Sequence, residues 1–299
     1  MGALQHLKEL VLIDAPLTTA SYLTPLPPNL TKLTFEKQWY NSASLELSAA
    51  LSKQTHPGNH TGSSSSSTSG GSLLSLHAEG MRLDEPAAFS SLTSLTALHA
   101  CGLRSRKPRD LLVVLSCLHK LRHLDLSMEK RSTSASPLQH NDNSRHPYLD
   151  TAAVEGLVNG CPDLEWLSVA ASPPAAGDAM QEPVPFSLLA LHDATRLTSL
   201  KLWANQALQD SNLVELARVT SLKFLDICAS GRDITDKGVQ ELTQLTALTE
   251  LNLDTKDAPM VSKEVAQFSE HHGGVFMIHR TPETVVGWTV SCRRSIPCA

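Results

Sequence analysis

Residues 245–255 read LTALTELNLDT, and the same phrase recurs up the chain: LTSLTALHACG over 92–102, LHKLRHLDLS over 118–127 and ATRLTSLKL over 194–202. In Leu-x-x-Leu-x-Leu the last two leucines stand two residues apart, a spacing that puts both on one face of a short strand. One such strand cannot bury that face alone. Copies stacked side by side bury a continuous column of leucine, so the repetition predicts a solenoid.

Aligned on the second leucine, the phrase occurs nine times, at Leu10, Leu33, Leu76, Leu98, Leu124, Leu167, Leu200, Leu225 and Leu251. Successive gaps are 23, 43, 22, 26, 43, 33, 25 and 26 residues. The short gaps fit the period of about 20–29 residues of leucine-rich repeats, and each long gap holds an insertion. Return segments between strands read as helices. QDSNLVELARVTSL offers Asp210 or Ser211 as N-cap before Leu213, Leu216 and Val219 at helical spacing. Thr235 or Asp236 opens the same pattern before Val239, Leu242 and Leu245, and Asp150 opens another.

Two stretches carry a narrower resemblance. Ile234-Thr235-Asp236-Lys237-Gly238-Val239-Gln240-Glu241-Leu242 resembles the I-T-D-x-G-x-x-x-L of cysteine-containing leucine-rich repeats, and Cys161-Pro162-Asp163-Leu164-Glu165-Trp166-Leu167 resembles their C-P-x-L-x-x-L. That subclass is similar in fold to ribonuclease inhibitor and is common in the substrate-receptor half of F-box proteins. The resemblance covers residues 4–255. It implies an α/β solenoid: a curved, right-handed horseshoe with a parallel concave sheet and helical or irregular convex segments. It also implies a non-catalytic protein-protein interaction scaffold, with the substrate-recognition part of an SCF-type ubiquitin ligase as its narrower form; the alternative is a cytoskeletal or ciliary scaffold. There are departures. After the strand, where the subclass carries Asn or Cys, this chain has Asn205 once but Ser230, Leu103 and Lys256 elsewhere, so the usual side-chain ladder is expected to be incomplete. No F-box sequence stands before the repeats, and the chain opens inside one at Leu4; the expected state is a monomer or a piece of a longer chain.

The solenoid is expected over residues 1–279, with a non-repeat tail at 280–299. Three insertions interrupt it: the Ser/Gly-rich 52–72, then 128–148 and 171–185. Such compositions cannot bury enough apolar surface to order themselves. In the tail, 262–272 reads as a helix and Val275 to His279 as one more strand that seals the last repeat.

Composition narrows the function classes. The 299 residues are 41% hydrophobic but only 4% aromatic, with a net charge of -5. That balance gives no general attraction to nucleic acid or anionic membranes. No stretch approaches the roughly 20 apolar residues of a membrane span, and the first residues are too polar for a signal-peptide core; cytoplasm or nucleus is the expected compartment. The six cysteines form no C-x-x-C pair and are expected as buried small hydrophobes, though Cys292 and Cys298 could close a small loop. The chain lacks G-x-S-x-G, a phosphate-binding loop and H-E-x-x-H. A rival reading, an enzyme or metal site built on the histidines, has His271, His272, His279, Cys292 and Cys298 as possible ligands, but their spacing matches no zinc pattern. No catalytic residue, cofactor or metal is expected.

The register makes the sharpest statement. Residues between the inward leucines face the concave side, the usual binding surface of solenoids. His77, His99, His123 and Asp125 form one cluster there, read either as a solvated polar face or as a proton-sensitive contact patch. Trp166, Trp203 and Phe224 fall on three consecutive strands, with Lys201 and solvent-facing Asp226 among them. Exposed aromatics on such a face are costly unless covered, so they are the expected partner anchors, unless the 171–185 insertion folds over them.

Overall fold

The computed structural model describes residues 6–13, 27, 29–36, 73–78, 89–90, 92–103, 105, 108–127, 149–170, 187–203, 208–230, 234–255 and 275–280. The three insertions and the 262–272 helix lie outside them, as do residues 281–299 with Cys292 and Cys298. The chain divides into two compact units, residues 1–147 with 159–161, and residues 148–158 with 162–299.

The first unit holds β1 (Glu9–Ile13), β2 (Lys32–Glu36), β3 (Ser75–Ala78), β4 (Ala97–His99) and β5 (His123–Leu126). Each pairs with the next in parallel, with Leu10, Leu33, Leu76, Leu98 and Leu124 in one register row. The second unit repeats this with β6 (Trp166–Ala170), β7 (Ser199–Trp203), β8 (Phe224–Ser230), β9 (Glu250–Thr255) and β10 (Val275–Arg280). Its row is Leu167, Leu200, Leu225, Leu251 and Phe276. All nine strands expected from the repeat are present, and β10 matches the tenth.

The whole phrase is buried, beyond its strand. Leu95, Leu98 and Ala100 are 0% exposed, as are Leu222, Leu225 and Ile227. Cys161, Ala194 and Val219 occupy the leading leucine position in three repeats and are buried as well. Each fully buried leucine contributes roughly 1.5–3 kcal/mol. β1 differs: Leu10 and Leu12 are half-buried and Val11 and Ile13 exposed, because no described residue stacks on its far side.

Among the described residues four helices return the chain: α1 (Pro108–Leu115), α2 (Thr151–Gly160), α3 (Asp210–Leu216) and α4 (Asp236–Glu241). α2 opens as expected, with the Ala153 amide donating to Asp150 Oδ1 at 2.8 Å. Thr235 caps α4, accepting from the Lys237 amide at 3.3 Å. The cap of α3 differs from expectation. Gln209 is the N-cap, its amide donating to Asn212 Oδ1 at 3.0 Å. Asp210 is engaged elsewhere, accepting from the amide and hydroxyl of Thr235, 25 residues on, at 2.7 and 2.6 Å. Gly238 is needed beside it, since a Cβ there would meet the Asp210 carboxylate and backbone.

A threonine ladder ties the turns. The hydroxyls of Thr31, Thr96, Thr198 and Thr249 each donate to a carbonyl of the preceding repeat, those of Lys8, Leu74, Glu165 and Lys223, at 3.0 to 3.2 Å. These bonds stand just before the strands, away from the Asn/Cys position that follows them.

Candidate functional site

Alternation along each strand that places leucine inward places its neighbours on the opposite, outer face of the sheet. In the first unit His77 on β3 pairs with His99 on β4, and His99 with Asp125 on β5. The two imidazoles lie 5.8 Å apart between centroids, tilted by 39°. His99 Nδ1 is 3.9 Å from Asp125 Oδ2, at the outer limit of an ion pair even when the ring is protonated. His123 pairs with Ala97, so it sits one outward row before the other three.

Cys101 and Ser127 complete this cluster, although neither is among the expected site residues. The Cys101 thiol lies 3.6 Å from Asp125 Oδ2 and accepts from the Ser127 hydroxyl at 3.2 Å. The Ser127 amide donates to Asp125 Oδ1 at 3.0 Å. Asp125 is therefore held by its own strand end and shared between thiol and imidazole. The signal that finds Cys101 and Ser127 in the sequence is their place two residues after His99 and Asp125. Among the described residues, no group of three or more His, Cys, Asp or Glu side chains is arranged to hold a metal ion.

The three cysteines whose side chains are described differ in exposure. Cys161 is buried, its thiol within 3.5 and 3.6 Å of the Leu115 and Leu118 carbonyls. Burial, with the neighbouring Cys117 second, pushes that thiol from 9.0 up to about 12. Cys101 is half-buried and Cys117 exposed, a correction to the expectation of uniform burial. Cys117 stands on the turn after α1, and Cys101 on the outer sheet face, so neither occupies a leucine position.

In the second unit three outward rows follow from the register. Trp166, Ser199, Phe224 and Glu250 form the first; Ser168, Lys201, Asp226 and Asn252 the second; Ala170, Trp203 and Cys228 the third. Trp166 and Phe224 are both half-buried and share a row, two strands and about 10 Å apart across Ser199. Trp203 stands four residues further along its strand, about 13 Å from that row. Trp203 thus does not share the row of the other two. A register shift in β8 between Ile227 and Ser230 breaks the third row before β9.

Asp226 requires a correction. It lies on the outer face, as its register demands, but is only 4% exposed. Lys201 and Asn252 flank it on the adjacent strands, and Phe224 stands two residues away on the same face; neighbours at sheet spacing bury it. Lys201 Nζ reaches Asp226 Oδ2 at 2.9 Å. Asp226 Oδ1 and Asn252 Oδ1 are buried, and no donor among the described residues reaches either.

Comparison with known proteins places this architecture. No protein-family model matches the chain, and no curated protein matches it in sequence. An internalin of Listeria monocytogenes (inlF) superposes with a TM-score of 0.54 at 18% identity, over 94% of this chain and 64% of that one. The fold is a leucine-rich-repeat solenoid. Internalin C2 of the same organism (TM-score 0.45, 21% identity, 69% of this chain and 71% of that one) and a leucine-rich-repeat protein of Leptospira interrogans (0.44, 15%, 94% and 67%) are also similar. At these identities the likeness concerns the leucine-rich-repeat fold alone. No described helix is long and apolar enough to cross a membrane.

Proposed function

We propose that this leucine-rich-repeat chain is a non-catalytic protein-binding scaffold that takes its partner on the outer sheet face of β6–β9. The observation that carries this reading is the row Trp166–Ser199–Phe224, two large aromatics held half-buried on a face whose core obligations are already met by leucine. Aromatic side chains in such positions supply much of the energy of protein interfaces, on the order of 2 kcal/mol or more each when they are hot spots. Lys201 and Asp226 in the next row set polar specificity, and Trp203 extends the contact along β7. The test is the double substitution Trp166→Ala, Trp203→Ala. A partner identified by affinity capture and mass spectrometry is expected to lose binding while the circular dichroism spectrum is unchanged. His99→Ala is the control and leaves that binding intact. A double variant that folds and still binds places the partner elsewhere.

Within that class we propose the substrate-recognition part of an SCF-type ubiquitin ligase, acting in the cytoplasm. The support is the I-T-D-x-G stretch at 234–242 and the C-P-x-L stretch at 161–167. The full-length transcript tests it: an F-box helix bundle encoded upstream is the expected result, and an upstream region without one sinks the ligase reading while leaving the scaffold.

A further inference from the structure

We infer that the Asp226–Asn252 pair is a receptor for an arginine side chain of the protein partner. The inference rests on the reading that the outer face of β6–β9 takes a protein, and it names the chemistry that face selects.

Two carbonyl-type oxygens, Asp226 Oδ1 and Asn252 Oδ1, lie buried on register-paired residues of β8 and β9 without a donor among the described residues. A buried acceptor left unpaired is costly, and a donor arriving from outside recovers that cost. The other Asp226 oxygen is already held by Lys201. The two unpaired oxygens belong to strands about 4.8 Å apart. A single ammonium meets one such oxygen well; a planar guanidinium with forked N–H groups bridges two. Phe224, two residues before Asp226 on the same strand and face, offers a ring for the guanidinium plane to stack on.

Charge agrees with this choice. By register the charged residues at outward positions of β6–β9 are Asp226, Glu250, Asp254 and Lys201, three acidic against one basic. Lys201 is a quarter exposed on a flexible stem, and its rotation opens the approach to Asp226. An acidic partner would meet this excess of like charge, and a purely apolar one would leave both oxygens unpaired.

The experiment is selection of displayed random peptides on the whole folded chain, followed by synthesis of the winners with arginine, lysine or citrulline at each selected arginine. Expected are peptides sharing an arginine, whose affinity falls roughly 10- to 100-fold on change to citrulline and by a similar factor on the Asp226→Asn protein. Asp226→Asn keeps side-chain shape and an acceptor for Lys201, and its thermal melt verifies the fold. Should it not fold, the citrulline series on the unaltered chain carries the test alone. Peptides lacking arginine that still lose binding on Trp166→Ala overturn the receptor but leave the scaffold reading standing. Equal binding of arginine and citrulline forms also overturns it. If the Asn252 amide itself donates to Asp226 in solution, Asn252→Leu will lower the melting temperature and leave the arginine preference unchanged, which equally defeats the inference. A selection that yields no peptide counts against both readings.

Discussion

Leu225 sits mid-strand in β8, fully buried, with Leu200 and Leu251 beside it in the register row. Leu225→Ala removes three carbons, worth about 0.8 kcal/mol each in transfer energy, or roughly 2.4 kcal/mol. A cavity term adds to this, and the total for such changes runs about 2–5 kcal/mol. Because β8 is hydrogen-bonded to strands on both sides, the backbone cannot move inward to fill the gap, and a cost in the upper half of that range is expected. Equilibrium urea unfolding followed by far-ultraviolet circular dichroism measures it. The comparison is Lys223→Ala, exposed two residues earlier, which should stay within about 0.5 kcal/mol of the parent. Equal costs at the two positions, or a loss below about 1 kcal/mol for Leu225→Ala, would refute the inward assignment. Every outer-face residue named above would then lose its place.

Lys201→Ala should cost more than Asp226→Ala, about 2–4 kcal/mol against less than about 1.5, because only the first strands a buried charge without its partner; the opposite order in urea unfolding means Asp226 has another cation. For Cys161 the folded thiol stands above its ordinary value, so its contribution is complete below pH 9 and is lost as pH rises toward about 12. The stability of the parent relative to Cys161→Ala should accordingly decline across that window, and a difference constant with pH would contradict the burial. Gly238→Ala should cost about 1–3 kcal/mol, since a Cβ there displaces Asp210 from Thr235; a neutral substitution would show that the inter-repeat link carries no weight.

Leucine periodicity was legible because strand alternation is local: whichever residue lies two from an inward leucine is inward as well. The repeat phrase set all nine strands, and alternation assigned Trp166 and Phe224 to the outer face; Cys161, expected buried with the other cysteines, is buried at a leading leucine position. α1 left a weaker trace, Pro108 at its first position and Leu111, Leu112 and Leu115 on one side, but it was not among the expected helices. Asp210 shows a different limit. Its sequence context reads as a helix cap, yet its carboxylate serves a threonine one repeat later, a choice made only when the two turns stack.

Asp226 marks the same boundary at the candidate site. Alternation determines which face a side chain leaves from, and that much the sequence settled by itself. How deeply the residue is then buried depends on the length and reach of side chains from other repeats: Lys201 leaning over from β7, Asn252 beside it on β9, Phe224 along its own strand. Those neighbours are about 25 residues away in sequence, apart from Phe224, and about one strand spacing away in space. Only the tertiary structure brings them together, and so only it turned a solvent-facing carboxylate into a buried one with an oxygen left to pair.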